Sequence, residues 1–181
     1  MGKFTTYQRR GGRGAVPIAC MATLRVTRGG PASDGDFALT TANLWVACRF
    51  VPSADFMLDS VRPLVLRVGT GGGDVNMAIR PETTGNPGAV QLSVAHLDPS
   101  TWPTSDGEVI FPMPPVLLTN GTAYWAVLNA LTGFTGNQVQ WAFTNTGSNS
   151  PVAYKSSNNG TSWASISAFS LARFTVWGCP A

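Results

Sequence analysis

The carboxyl-terminal part of the chain consists of short segments that alternate polar and apolar residues, and this feature most restricts the possible fold. Aromatic and β-branched residues are frequent within the segments, and Asn, Gly, Ser, Thr or Pro separates each segment from the next. The segments are 120–128, 139–143, 154–156, 160–163 and 172–178. Because successive side chains of a strand face opposite sides of a sheet, the alternation predicts consecutive antiparallel strands. No segment of useful length has the period of a helix.

The preceding residues continue this pattern. Further strands are predicted at 39–51, 61–68, 75–80 and 89–97. About eight to ten strands at a spacing of roughly 8–15 residues are typical of a jelly roll or a β-sandwich. We therefore predict an all-β protein, with an antiparallel jelly-roll or β-sandwich domain over 37–181. An extended basic amino-terminal arm and linker are predicted over 1–36.

Alternation within the predicted strands assigns side chains to the two faces of a sheet. The first strand directs Leu44, Val46, Cys48 and Phe50 to one side, and Trp45, Ala47 and Arg49 to the other. Val75, Met77 and Ile79 are expected to point inward, Val90, Leu92 and Val94 to share one face, and Trp125, Trp141 and Phe143 to lie in the core. Pro63 predicts an edge position or a bulge, because proline has no amide hydrogen for a sheet ladder. The glycine-rich segment 69–74 lacks the ending of a phosphate-binding loop and is predicted to connect a hairpin.

Charge is sparse and unevenly distributed along the chain. Charged residues make up 12% of the sequence, against roughly 25% in average globular proteins. A surface so poor in charge suits extracellular or virion β-proteins, and it equally suits a chain that hides surface in an assembly. No apolar run approaches the roughly 20 residues of a membrane span, so no membrane partner is expected. The amino terminus also lacks the apolar core of a signal peptide.

The basic residues are concentrated before the first acidic residue, Asp34. They are Lys3, Arg9, Arg10, Arg13, Arg25 and Arg28. A basic arm on a near-neutral body suits an anionic partner, or a segment that inserts into a neighbouring subunit. A disordered tail and an anchoring arm both remain open, with Lys3, Tyr7, Arg9, Arg10 and Arg13 as the anchoring candidates. Nucleic-acid binding is the least favoured alternative, because the arm is short and has only two rings for stacking on bases.

Catalytic and metal-binding chemistry is poorly supported. The only histidine is His96, no serine lies in a nucleophile elbow, and the nine acidic residues are scattered. Neither Asp34 with Asp36 nor Asp98 with Asp106 has calcium-ligand spacing. We therefore expect no enzyme activity, no metal and no cofactor.

The three cysteines do not form a disulfide framework, because their number is odd. Cys48 alternates with apolar residues and is predicted to be a small core residue. Cys20 and Cys179 lie near the two termini and could pair, which the sequence leaves open.

A series of short motifs in the predicted sandwich resembles a known domain. The motifs are Val65–Val68, Val75–Ile79, the Gly-Asn-Pro-Gly loop at 85–88, Trp102, Phe111-Pro112, Leu118–Trp125, Val139–Trp141, Tyr154, Ser162-Trp163 and Phe174–Gly178. Together they resemble the jelly-roll, carbohydrate-binding-module-like domain of phage head fibres, decoration proteins and tail-associated proteins. They are also similar to the choice-of-anchor domains of bacterial surface proteins. The resemblance covers about residues 37–178.

The resemblance implies a structural virion surface protein of a bacteriophage-like particle. Such a protein is commonly a homotrimer, contacts other virion proteins and docks through its amino-terminal arm. The alternative is a glycan-binding adhesion module that contacts host-cell polysaccharide. Sugars bind to aromatic faces that are edged by amide and carboxylate groups. The candidate residues for this site are Trp102, Tyr154, Trp163, Asn158, Asn159 and Asp98, with Trp102 expected to be the most exposed ring. The competing interpretation is that Tyr154 and Trp163 close the ends of the sandwich.

Overall fold

The computed structural model describes residues 4–7, 18–28, 35–41, 43–69, 73–131, 138–144, 153–166 and 171–181. The strands are β1 (Phe4–Tyr7), β2 (Ile18–Met21), β3 (Thr23–Arg28), β4 (Gly35–Leu39), β5 (Trp45–Phe50), β6 (Phe56–Val68), β7 (Val75–Thr83), β8 (Asn86–Pro87), β9 (Ser93–Leu97), β10 (Gly107–Glu108), β11 (Phe111–Pro112), β12 (Leu117–Leu118), β13 (Tyr124–Ala130), β14 (Gln138–Thr144), β15 (Ala153–Ser156), β16 (Ala164–Ser165), β17 (Leu171–Ala172) and β18 (Phe174–Pro180). One short 3₁₀ helix, Pro99–Thr101, follows β9.

Two antiparallel sheets form an all-β sandwich, which confirms the predicted fold class. The nine-stranded sheet has the order β17-β14-β6-β18-β3, with β4 on β14 and with β10, β11 and β12 on β6. The seven-stranded sheet has the order β16-β15-β5-β13-β7-β8, with β9 also on β7. One of the sheets curls into a half-barrel. None of the helices in the described ranges is long and apolar enough to cross a membrane.

The main core lies between the two sheets and includes several of the side chains that alternation predicts to face inward. Trp141 and Phe56 come from the nine-stranded sheet, and Phe50, Met77 and Leu128 come from the seven-stranded sheet. Val75 and Ile79 are also fully buried in this core, as their alternation predicted. Each such side chain contributes about 1.5–3 kcal/mol to folding by leaving water. Apolar burial from both sheets therefore holds the sandwich together.

Pro63 lies within the long central strand β6, so the predicted edge position is wrong, and the register shift between β6 and β18 lies at Trp177 and Gly178, away from Pro63. Along one side of β6, the pairing with β18 ends at Pro63 and the pairing with β14 begins at Val65. On its other side β6 meets only the short strands β10, β11 and β12. The Pro63 carbonyl accepts from the amide of Val109, which lies between β10 and β11. A residue without an amide hydrogen is tolerated at this interruption of the ladder.

Two other local predictions are wrong. Strand β9 begins at Ser93 and not at residue 89, so Val90 and Leu92 of the predicted strand face lie outside the strand, where they are exposed. The segment 69–74 joins β6 in one sheet to β7 in the other, so it does not connect a hairpin. Sheet membership depends on contacts between distant residues, which local turn composition does not encode.

The described part of the amino-terminal region contains three strands. β1 and β2 pair with each other, whereas β3 pairs with β18 at the end of the nine-stranded sheet. Lys3, Arg9, Arg10 and Arg13 lie outside the described residues, and the Tyr7 side chain is not described. The anchoring role of these residues and the domain boundary after residue 36 therefore stay predictions.

The cysteines take two different states. Cys48 is buried in the main core, as predicted, and is not disulfide-bonded. Cys179 is disulfide-bonded. The side chain of Cys20, its candidate partner, lies outside those that the structure describes.

Candidate functional site

The outward face of the seven-stranded sheet carries a second, smaller apolar cluster. We call it the aromatic face, and its members are Trp45, Ala47, Ala78, Val94, Trp125, Val127, Tyr154 and Trp163. Strand register produces the cluster, because Tyr154, Ala47, Val127, Ala78 and Val94 lie side by side on β15, β5, β13, β7 and β9. The two alanines are the smallest members of this row.

Aromatic rings contact each other edge to face in this cluster. The ring centroids of Trp125 and Tyr154 are 4.9 Å apart, with an interplanar angle of 85°. Trp45 and Trp163 are 6.5 Å apart at 61°. Trp125 is fully buried, whereas Trp45, Tyr154 and Trp163 are half-buried. Three rings of the face are therefore accessible from outside the molecule.

A row of charged side chains borders these rings. Arg49, Trp125 and Arg80 are aligned across β5, β13 and β7. Arg49 donates hydrogen bonds to Glu82 and forms an ion pair with it. The hydrogen bond from Arg49 lowers the pKa of Glu82, and the same bond raises the pKa of Arg49. The Trp125 indole also lowers the pKa of Glu82, although no acceptor meets hydrogen-bonding geometry at its N–H.

Arg80 differs from the other arginine in this row, because it is buried. It is 5% exposed, and its guanidinium carbon lies 4.9 Å from the centroid of the Trp45 ring. Its Nη1 donates to the carbonyl oxygen of Gly88 at 3.2 Å, whereas its Nε has no acceptor. Burial lowers the pKa of Arg80.

Unsatisfied polar atoms are concentrated on this face. In the part of the chain that the structure describes, the buried side-chain atoms without a hydrogen-bond partner are Arg80 Nε, Trp125 Nε1, Asn129 Oδ1 and Trp163 Nε1. Asn129 lies opposite Trp45 on the same side of the sheet as Trp125. Leaving one such group unpaired costs about 1–3 kcal/mol. The three N–H donors and the one carbonyl acceptor on this face could therefore bind a ligand.

The turn between β15 and β16 holds Trp163 beside Trp45. Asn158 Oδ1 accepts from Ser156 Oγ at 2.8 Å and from the amide of Ser162, while Asn158 Nδ2 donates to Ser162 Oγ at 2.9 Å. Gly160 has φ +74°, and a Cβ at this residue would lie 2.7 Å from the Trp45 ring. Asn158 therefore positions the turn from within, while its neighbour Asn159 is exposed with φ 57°.

The predicted sugar-binding residues divide into two groups. Tyr154, Trp163, Asn158 and Asn159 lie at the β15 edge of the seven-stranded sheet. Asp98 follows β9 at the other edge, four strands away, which corresponds to roughly 19 Å at the usual strand spacing. Asp98 is exposed and accepts from the amide of Ser100 at 2.8 Å, and this bond lowers the pKa of Asp98.

The expectation that Trp102 is an exposed ring is wrong. Trp102 is only 4% exposed and packs edge to face on Phe111, with ring centroids 5.7 Å apart. Its amide donates to the Pro99 carbonyl at the end of the 3₁₀ helix. The surrounding prolines therefore fold the segment back onto the core.

Sequence reasoning did not include Trp45, Trp125 and Arg80 among the candidate site residues. The outward direction of Trp45 was predicted from alternation, but Trp125 was expected in the main core. Trp125 is buried, although it belongs to the aromatic face instead. Alternation along β7 places Arg80 on the face opposite to Val75, Met77 and Ile79, but the alignment of Arg80 with Trp125 depends on strand register, which alternation does not give.

Within the described residues, His96 and Asp36 each interact with one polar neighbour. His96 Nδ1 is hydrogen-bonded to Asn76 Oδ1, and His96 is exposed. Burial and the nearby Asp106 carboxylate raise the pKa of Asp36. Within the described ranges, no group of three or more His, Cys, Asp or Glu side chains could hold a metal ion.

Comparison with known proteins gives no family assignment. No protein-family model matches the chain, and no curated protein matches it. The similarity to phage and bacterial surface domains therefore stays an expectation drawn from the sequence motifs.

Proposed function

We propose that the protein is a carbohydrate-binding β-sandwich module that binds sugar on its aromatic face. One observation carries the proposal: half-buried rings and unpaired polar atoms occur together on the outward side of one sheet. Pyranose rings present apolar C–H patches that pack on aromatic faces, and their hydroxyl groups both donate and accept hydrogen bonds. The cluster offers both kinds of contact.

Each residue has a defined part in this proposal. The half-buried rings of Trp45, Tyr154 and Trp163 supply the packing surface. The indole N–H groups of Trp125 and Trp163 donate to sugar oxygens, and Asn129 Oδ1 accepts from a hydroxyl group. Because these polar atoms are buried, side chains that cover them shift when the sugar enters. Asn158 acts indirectly, by holding the turn that carries Trp163.

Sugar binding by single-ring variants tests the proposal. Trp163→Ala should remove most binding to an array of cell-surface polysaccharides while the domain stays folded. Trp177→Ala is the matched control, because Trp177 is also half-buried but lies in β18 of the other sheet, under Arg62. Equal loss in both variants, or no loss in Trp163→Ala, would contradict a site on the aromatic face.

A role as a virion surface protein is the second candidate. The pairing of β1 and β2 with each other, upstream of the edge strand β3, supports a separate amino-terminal unit that could contact another virion protein. The two proposals are compatible, since a virion protein can also adsorb to host-cell polysaccharide.

Replacement of Arg9, Arg10 and Arg13 by glutamine tests the anchoring role in the full-length chain. A smaller fraction of the variant than of the parent protein should sediment with particles, because the arm loses three of its six positively charged residues. Unchanged incorporation would contradict electrostatic anchoring by the arm.

A further inference from the structure

Arg80 is a buried cation without an anionic partner in the described residues. Arg49 forms an ion pair with Glu82, and Arg62 Nη1 lies 3.5 Å from Glu108 Oε1. Arg80 is more buried than either of these arginines, yet its contacts are the Gly88 carbonyl and the Trp45 ring. Neither contact neutralises its charge. A buried charge that lacks a counter-charge is usually disfavoured in a folded protein, so its presence requires an explanation.

The free edge of the Arg80 guanidinium has the shape that a carboxylate binds. Nη1 is engaged by Gly88, which leaves the edge formed by Nε and Nη2. Nε has no acceptor. Two parallel N–H groups on one edge of a guanidinium match the two oxygens of a carboxylate. The neighbouring rings of Trp45 and Trp163 would pack on the body of the molecule that carries the carboxylate.

We infer that the aromatic face prefers acidic sugars, and that Arg80 binds the sugar carboxylate through the Nε edge. This inference rests on the proposed function and adds the chemical class of the glycan, a polysaccharide with uronic-acid or similar carboxylated units. A sulfated sugar shares the negative charge, but its tetrahedral group does not match the planar fork as closely. Burial lowers the pKa of Arg80, which is consistent with a cation that awaits a counter-charge.

Entry of the carboxylate requires movement of a covering side chain, because Arg80 Nε is closed to solvent. Trp45 is in position for this movement, since its half-buried ring lies over the guanidinium. Binding of an acidic sugar should therefore change the fluorescence of the protein.

The test compares three oligosaccharides of equal length by calorimetric titration of the full-length protein. They are a galacturonic-acid oligosaccharide, the galactose oligosaccharide made by reducing its carboxyl groups, and a sulfated galactose oligosaccharide. The parent protein should bind the first roughly ten- to hundredfold more tightly than the second, as expected for charge-assisted hydrogen bonds. The preference should shrink as salt is added.

Arg80→Met should abolish the preference for galacturonic acid and leave weak binding to the galactose oligosaccharide. Arg80→Lys should recover little of the preference, because an ammonium group cannot form the two-pronged contact. Arg62→Met is the matched control, since Arg62 also stacks on a tryptophan but on the other sheet. It should bind all three sugars as the parent does.

The outcomes separate this inference from the proposed function. Equal affinity of the parent for the acidic and the neutral sugar would overturn the inference and leave the proposed function standing. Stronger binding of the sulfated sugar would also overturn the carboxylate assignment. Failure of all three sugars to bind, together with no binding to the polysaccharide array, would overturn both. If Arg80→Met does not fold, the comparison of the three sugars on the parent protein still decides the matter.

Discussion

Trp45 connects the main features of the aromatic face. Its ring contacts Trp163, lies over the Arg80 guanidinium and occupies the space where a side chain at Gly160 would project. Alternation along β5 predicted that Trp45 faces away from the main core. Its neighbours could not be predicted in the same way, because they lie on β7 and on the β15–β16 turn, far along the chain.

Gly160→Ala tests the contact between the turn and Trp45. The change should destabilise the protein by about 2–3 kcal/mol, because strain at positive φ adds to a clash with the ring. Gly121→Ala is the control, since Gly121 has a similar φ of +72° and no atom within 4 Å of an added Cβ. Chemical denaturation measures both. If both variants lose the same free energy of unfolding, the clash with Trp45 adds nothing to the destabilisation.

Glu82 and Asp36 have pKa values shifted in opposite directions, so their contributions to stability should change in opposite directions with pH. The pKa of Glu82 is lowered in the folded state by Arg49, so its contribution is present above the ordinary value of 4.5 and is lost as pH falls through the folded pKa. The pKa of Asp36 is raised above 3.8 by burial and by Asp106, so ionised Asp36 destabilises the fold at neutral pH. At pH 7, Glu82→Gln should lower the melting temperature and Asp36→Asn should raise it.

Melting curves of both variants between pH 7 and pH 3 provide the measurement. The difference in melting temperature between each variant and the parent protein should decrease towards pH 3, because the carboxyl groups of the parent protein become protonated. A melting temperature of Glu82→Gln that stays below the parent by a constant amount would exclude the ion pair as the cause.

At the scale of elements, strands with strict alternation were predictable and connections were not. Val75, Met77 and Ile79 face the core as predicted, because a strand buried on one face needs a period of two. Pro63 did not predict that β6 lies in the middle of a sheet. A proline fits this strand because β6 stops pairing with β18 at Pro63 and starts pairing with β14 at Val65. The pairing of β6 with five different strands is a property of the whole fold.

Trp102, a predicted site residue between β9 and β10, is a second case in which the local sequence did not predict the packing. Trp102 lies among prolines and polar residues, which is typical of an exposed loop, yet it packs on Phe111. Trp102→Ala should therefore destabilise the protein by about 3–5 kcal/mol, as expected for loss of a buried indole. Sugar affinity of the folded fraction should not change. Denaturant unfolding and a titration of the same sample check both statements, and a loss of affinity without a loss of stability would refute them.

At the scale of the whole molecule, the two sheets have different outward faces. The seven-stranded sheet presents the aromatic face with Arg80, whereas the nine-stranded sheet presents Trp177 stacked with Arg62. Six candidate residues were predicted for the alternative, sugar-binding role, and four of them lie together at the β15 edge of the seven-stranded sheet. Asp98 and Trp102 are separated from them because β9 lies at the opposite edge of the same sheet.

The central claim is that a sugar binds on the aromatic face, and the indole N–H signals in a ¹⁵N-correlation NMR spectrum test it most directly. The protein has six tryptophans, so each indole reports on one position. During titration with the oligosaccharide that binds most tightly, the signals of Trp45, Trp125 and Trp163 should shift. The signals of Trp102, Trp141 and Trp177 should stay in place. Shifts confined to Trp177, or no shift of any indole at saturating sugar, would contradict the account.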